Sequence, residues 1–217
     1  QHGMLLETYL LLGDHGDHRE RARLRKQIVR VGWQPHVETH FEAMAYTAMQ
    51  ELATQVFYLR AAHVCQDEDP MLARALRRVA RDEVLHMAFY RDAVKAHLEV
   101  EPNFVEPLVK VMLEFAMPGA MMPDYAARAS ILARQGVYGP DHFFSLVVDK
   151  LWREWDIPGL MPTAEKARDA QRKLTIHHEK LGRIAARMAV RRAPSAKEKE
   201  ATGIARAQQE AMLKLGD

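Results

Sequence analysis

The stretch Val79-Ala80-Arg81-Asp82-Glu83-Val84-Leu85-His86-Met87-Ala88-Phe89-Tyr90 decides the fold. Read as a helix, it places Glu83, His86 and Tyr90 at i, i+3 and i+7, so a carboxylate, an imidazole and a phenol share one stripe. Val79 extends that stripe by one turn. A helix that points a carboxylate and an imidazole along its apolar side must supply them with a partner, and in bundles the common partner is a metal ion. A lone E-x-x-H match arises by chance in a chain of this composition, so its surroundings carry the argument. The plain alternative is a Glu and a His at the rim of an amphipathic helix.

Upstream, Gln66-Asp67-Glu68-Asp69-Pro70 reads as a turn, with Pro70 at the first position of a helix that runs to about Val100 and stops at Pro102. Before the turn, a long helix spans about Val37 to Gln66. Phe41, Met44, Ala48, Glu51, Thr54, Tyr58, Ala62 and Cys65 lie along one broad face of it. Glu51 lies 15 residues before Gln66 and Glu83 lies 13 after Pro70. At about 1.5 Å rise per residue these are roughly 22 and 20 Å from the turn, so antiparallel neighbours hold both carboxylates at one level. Two carboxylates at one depth in a core repel, and a divalent or trivalent cation removes that cost. Carboxylate-rich ligation with a few imidazoles suits iron or manganese rather than zinc or copper.

The remaining sequence is helical throughout, rich in Ala, Leu, Met, Glu and Arg and poor in strand signals, so the fold class is all-α. The chain opens inside a helix with His2, Leu5, Leu6, Tyr9 and Leu10 on one face and Gly13 as its stop, and His2 is a candidate third contributor to the metal site. Asp17, three residues before Glu20, caps a basic helix through Arg30, and Gly32, Trp33 and Pro35 mark a loop. Helical patterns follow at 104–117, 119–136 and 140–155. After Pro158-Gly159, Thr163 is placed to cap a last helix, in which Ala170, Leu174, His177, Leu181, Ile184 and Met188 form a packing seam. Residues 1–190 read as one domain and 191–217 as a flexible or short-helical tail.

A chain of 217 residues with 48% hydrophobic content can bury one sizeable core. Its 31 basic and 29 acidic residues give a net charge of +2, and no Arg/Lys run is interleaved with aromatics, which argues against nucleic acid. The single Cys65 excludes an intramolecular disulfide and cysteine-based metal clusters, and fits a reducing, cytoplasmic setting. Lys110 and Glu114 interrupt the longest apolar run, Phe104–Met122, so no transmembrane segment is expected. Other polar groups read plainly. His36 and His40 are a solvated helix end, His15 and His18 lie in a polar turn, and Arg74, Arg77, Arg78 and Arg81 form a solvated stripe rotated away from Glu83.

Several motifs, in order, resemble the soluble acyl-[acyl-carrier-protein] desaturases, which are ferritin-like di-iron enzymes. Gln1-His2-Gly3 with Leu5-Leu6 and Tyr9-Leu10 is similar to the end of that family's Glu-Glu-Asn-Arg-His-Gly helix. Tyr46-Thr47 with Gln50-Glu51-Leu52-Ala53-Thr54 resembles Tyr-Thr-x-x-Gln-Glu-Arg-Ala-Thr. Asp82-Glu83-Val84-Leu85-His86 resembles Asp-Glu-Lys-Arg-His, and Gly136-Val137-Tyr138, Trp155 and Gly159-Leu160 match later landmarks. The resemblance covers about residues 1–187 and implies a ferritin-like helical bundle. It implies two iron ions, with Glu51 and Glu83 as carboxylate ligands and His2 and His86 as imidazole ligands. Thr54 would be the hydroxyl beside the oxygen-activation site and Asp82 the carboxylate that orients His2, with Tyr90 further along the stripe.

The implied activity is O2-dependent introduction of a double bond into a fatty acyl chain held on an acyl carrier protein. A ferredoxin-type electron donor and a homodimer are implied with it. Met44, Met49 and Phe57 are candidates to line the acyl tunnel. An acidic carrier protein would meet either the stripe at Arg74, Arg77, Arg78 and Arg81 or the group Arg19, Arg21, Arg23, Arg25 and Lys26. The family's site has four carboxylates and two imidazoles, and two of those carboxylates would lie upstream of Gln1. The sequence therefore reads as the larger part of such a domain without its N-terminal helices, expected to be inactive alone. The alternatives are another ferritin-like di-iron oxygenase or oxidase, and a metal-free helical association module.

Overall fold

The computed structural model describes residues 2–192 apart from Gln34, and among these every regular element is helical. The proposed tail lies almost wholly outside the described residues. The centre of the fold is an antiparallel pair, α3 (His40–Val64) and α4 (Pro70–Val100), joined by a five-residue turn at 65–69. Their register is set by three contacts that walk in opposite directions. The Phe41 ring packs on His97 at 5.7 Å, Glu51 faces His86, and Ala62 packs with Ala73 and Leu76 in a small cluster at the turn. At the turn, Asp69 caps α4 by accepting from the Leu72 amide at 2.8 Å, and Pro70 takes the first helical position, where no amide is needed.

The start of α3 falls later than the pattern from Val37 suggests. Thr39 and Glu42 form a reciprocal cap: the Glu42 amide donates to the Thr39 hydroxyl at 3.2 Å, and the Thr39 amide donates to the Glu42 carboxylate at 3.1 Å. Replacing Thr39 by Ala should cost about 1 kcal/mol, read as a lower urea midpoint at unchanged slope. Ala45, Met49, Leu52 and Ala53 are almost fully buried, so the deepest face of α3 is rotated from the part of the stripe that carries Glu51 and Thr54. Phe41, Ala48 and Ala62 of that stripe are buried, whereas Glu51 and Thr54 are only half covered.

Short α1 (His2–Leu12) lies across the pair near the turn, also antiparallel to α4. His2 meets Asp82 and Glu83, Leu6 joins the Ala62 cluster, and the Tyr9 hydroxyl donates to Asp69. Basic α2 (His18–Val31) is capped by Asp17, as its sequence suggests, and buries none of its residues. On the other side, α5 (Val105–Glu114) packs against α3 and against the long α9 (Glu165–Arg192). Leu98, Leu108, Val147, Leu151, Trp155 and Leu174 fill the core between them.

Two helices expected from sequence are broken. Instead of one helix over 119–136 there is a 3-10 turn, Pro118–Met121, then α6 (Tyr125–Arg134), with Asp124 between them at φ +59° beside Pro123. Residues 140–155 run as α7 (Pro140–Phe143), a π-helical stretch Phe144–Val148, and α8 (Asp149–Glu154). The π stretch carries Phe144 against Gly182 of α9, where an added Cβ would sit 3.0 Å from Phe144 Cζ. The seam of α9 shifts accordingly. His178, not His177, faces inward, stacked on Trp152 at 4.3 Å and bonded to Asp149 at 3.0 Å, while Ala185 is buried and Ile184 exposed. Thr163 is not the cap of α9. Its hydroxyl accepts from Asn103, and Asn103 Oδ1 receives the amides of Thr163 and Ala164. Among the described residues no helix is long and apolar enough to cross a membrane.

Candidate metal centre

The antiparallel register brings Glu51, Glu83 and His86 together, with one ligand atom from each lying within 4.8 Å of the others. Glu83 is the most buried of the three, at 6% exposure. Its two oxygens face two imidazoles: Oε1 lies 3.0 Å from His2 Nδ1 and Oε2 lies 3.2 Å from His86 Nδ1. His86 Nδ1 also lies 3.7 Å from Glu51 Oε2. The other nitrogen of His2, Nε2, is 3.2 Å from Asp82 Oδ2, so Asp82 holds that ring from behind. Arg78 lies 3.7 Å from Asp82 and steadies it in turn.

Burial and the neighbouring Glu83 push the Glu51 carboxyl up to about 7, with His86 opposing the shift. Two adjoining carboxylates thus share one level of the bundle, as the turn arithmetic expects, and one of them is held toward its neutral form. A cation removes that penalty. The donor set of two carboxylates and an imidazole, with His2 beside them, fits iron or manganese.

Thr54 sits one turn beyond Glu51, half-buried, and its hydroxyl makes no hydrogen bond among the described residues. Thr47, by contrast, bonds back to the Ala43 carbonyl at 2.8 Å. Tyr90 packs against the core beside Phe89 and makes no polar contact with Glu51, Glu83 or His86. Tyr58, read from sequence only as part of the apolar face, stands in the field of Glu83; burial and that charge both raise its hydroxyl above the ordinary phenol range. Its position seven residues after Glu51 was the available signal. His36, His40 and the arginines 74, 77, 78 and 81 are all exposed.

A cavity of about 380 Å³ lies on the neighbouring side of α3, lined mainly by Phe115, Met117, Tyr125, Tyr138 and Phe143. The Phe115 ring packs on Tyr46 at 5.5 Å and the Tyr138 ring on Phe57 at 5.9 Å. Tyr46 and Phe57, which bracket Glu51 and Thr54 along α3, thus pack on two residues of its lining, and neither Glu51 nor Thr54 lines it. Of the residues considered for a tunnel, Phe57 reaches this cavity through Tyr138, Met44 is half-buried against the core, and Met49 is fully buried within it.

Residues 1–205 match the fatty acid desaturase family. The chain belongs to that family. Among curated relatives it is 30% identical over 166 residues to DesA1 of Mycobacterium tuberculosis, provisionally named an acyl-[acyl-carrier-protein] desaturase, covering 72% of this chain and 48% of that protein. It is 31% identical over 170 residues to the chloroplastic acyl-[acyl-carrier-protein] desaturase 3 of Oryza sativa subsp. indica, covering 74% and 42%. The chloroplastic stearoyl-[acyl-carrier-protein] 9-desaturase 6 of Arabidopsis thaliana is 28% identical over 181 residues, covering 78% and 46%. The chain spans about half the length of the relatives it matches.

Proposed function

We propose that the chain carries the metal-binding helices of an acyl-[acyl-carrier-protein] desaturase. Such an enzyme uses dioxygen to introduce a double bond into a carrier-bound fatty acyl chain. The observation that carries this reading is the buried Glu83 carboxylate with an imidazole at each oxygen, beside Glu51. A carboxylate with an imidazole at each oxygen supplies the kinds of donor that a carboxylate-rich iron site would use. Glu51, Glu83, His2 and His86 would hold two iron ions, and a bound di-iron centre supplies the reduction of dioxygen and the removal of hydrogen from the acyl chain.

The chain's own residues do the rest. Asp82 fixes the His2 ring through Nε2, which leaves Nδ1 toward Glu83. Glu51, held toward its neutral form beside Glu83, would serve the ions as a carboxylate. The Thr54 hydroxyl, unclaimed by its own helix, can hold or pass a proton at the same level. The apolar cavity beside α3 takes the acyl chain and excludes water from it. The acidic carrier protein docks on one of two basic groups, the exposed Arg74, Arg77, Arg78 and Arg81, or Arg19, Arg21, Arg23, Arg25 and Lys26, of which Arg21 is half-buried against His15 and His18. A ferredoxin-type electron donor, a homodimer and a cytoplasmic setting complete the proposal on the likeness to the family and the single cysteine.

The test joins the chain to the N-terminal helices of a desaturase relative, which it is expected to need for activity, loads the joined protein with Fe(II) and supplies reduced ferredoxin, dioxygen and acyl-carrier-protein substrates of several chain lengths, with mass spectrometry locating any double bond. Thr54→Val should keep the iron content and lower turnover by about 100-fold, with oxygen consumed unproductively. Loss of iron in that variant would make Thr54 structural or ligating. Iron-loaded protein that forms no double bond on any chain would overturn the desaturase reading.

A further inference from the structure

Two cavities meet at the end of α5, and one aromatic ring stands between them. The larger, of about 380 Å³, is the one described above. The smaller, of about 250 Å³, is lined mainly by Trp33, Pro35, Val37, Tyr46 and Val111. Phe115 and Ala116 line both. The Phe115 ring packs on Tyr46 of the smaller cavity at 5.5 Å and stacks on Phe143 of the larger at 5.7 Å, so the three rings form a row across the boundary. That row is tied in place. The Tyr46 hydroxyl donates to the Ala116 carbonyl at 3.1 Å and accepts the Trp33 indole N–H at 3.0 Å, which holds the chain leaving α5 against α3. Away from Phe115, at Ala129 and Pro140, the larger cavity joins a groove lined by the exposed Arg134 and Arg191, and this is its side toward solvent.

A hydrocarbon chain gains affinity for every CH2 that it buries, and stops gaining where it meets a packed wall. We propose that Phe115 is a specificity-determining residue: its ring closes the inner end of the larger cavity and so sets the longest acyl chain that the cavity accepts. The smaller cavity is the space held in reserve behind it. Among its side chains the polar atoms are those of Tyr46 and Trp33, bonded to each other, and of His36 and Glu114, both exposed. A hydrocarbon end therefore enters it without stranding a polar group. Trimming the Phe115 ring to a methyl group joins the two spaces and lets a longer chain pass. The role of Phe115 rests on the acyl-chain reading of the larger cavity given above.

The test is binding, without metal or turnover. Acyl-pantetheine thioesters with even-numbered chains from hexanoyl to stearoyl are measured by equilibrium dialysis against the 217-residue chain and its variants. In the parent each added CH2 should tighten binding by about fourfold until the chain reaches Phe115, and longer chains should gain nothing more. Phe115→Ala should carry the rise to longer chains and bind the stearoyl ligand about tenfold more tightly than the parent does. Adding Val37→Phe, which fills the smaller cavity, should return the limit to its place in the parent. Phe115→Leu keeps more of the packing, so its shift should be smaller, and it carries the test if the alanine variant melts below the working temperature. A limit that stays at the parent's length in the folded variants, or a shift that Val37→Phe leaves standing, would overturn the role of Phe115 and leave the cavity an acyl site. Affinity that climbs without a break to stearoyl in the parent would do the same. If binding to the parent does not rise with chain length at all, the acyl reading of the cavity falls and this inference falls with it.

Discussion

Glu83→Ala should weaken the binding of Fe(II) or Mn(II) by about 100-fold or more, the largest effect expected of any single change in this chain. Glu83 is the carboxylate that both imidazoles approach, through Nδ1 in each case. Removing it separates His2 from His86 and leaves Glu51 as the only carboxylate of the three-residue group. The metal-free fold should survive, because the same change relieves the pressure that Glu83 puts on the Glu51 carboxyl. Asp82→Asn should be milder. It keeps the shape but weakens the hold on His2 Nε2, an effect of about tenfold. Anaerobic calorimetric titration of the three proteins orders them: parent, then Asp82→Asn, then Glu83→Ala. Unchanged metal affinity in Glu83→Ala would mean that the centre lies elsewhere.

Much of this site is legible in the sequence because the chain punctuates itself clearly around it. Asp69-Pro70 and Pro102 bound α4 within a residue, and a short turn forces α3 to run back alongside. Counting from that turn then fixes the level of Glu51 against Glu83. Rotation is harder than level. Glu51 and Thr54 are only half covered on the apolar stripe, because small residues at Ala45 and Ala53 let α3 bury the neighbouring face more deeply. In the same way Tyr90 continues the stripe of Glu83 and His86 on paper, yet packs on the core without a polar contact to either.

The features missed were those whose cause lies in another part of the chain. A π-helical stretch has the composition of the α-helix around it, so Phe144–Val148 gave no local sign of the change in pitch. The inward turn of His178 depends on Trp152 and Asp149, and the start of α9 is satisfied by Asn103, some 60 residues upstream. The capping pair Thr39 and Glu42 was present in the sequence, and the loop residues before it, with Pro35, drew the expected start too early. Tyr138 was visible only as a landmark. That its ring packs edge-on to Phe57 and its hydroxyl ends buried without a partner depends on α3, far upstream in the chain.

The charge on Glu51 should also make the stability of the metal-free chain depend on pH, in the direction opposite to that of a salt-bridged carboxylate. The folded carboxyl titrates at about 7 against an ordinary 4.5. Below 4.5 the group is protonated in both states and favours neither. As pH rises above 4.5 the unfolded chain ionises first, so folding loses ground until the folded carboxyl ionises near 7, after which the loss is complete. Metal-free protein should therefore be less stable at pH 8 than at pH 5, by about 1–3 kcal/mol from this group, a melting shift of several degrees. Glu51→Gln keeps the shape without the charge, so the difference between parent and variant isolates the carboxyl. Parent and variant should converge near pH 4.5, and the variant should gain over the parent up to about pH 7. Saturating Mn(II) should reverse the order, because the ion binds the ionised carboxylate and displaces its proton, stabilising the parent most where the metal-free parent is weakest. A metal-free melting curve with no difference between parent and Glu51→Gln across that range would mean that Glu51 is solvated, and that the two carboxylates do not share a site.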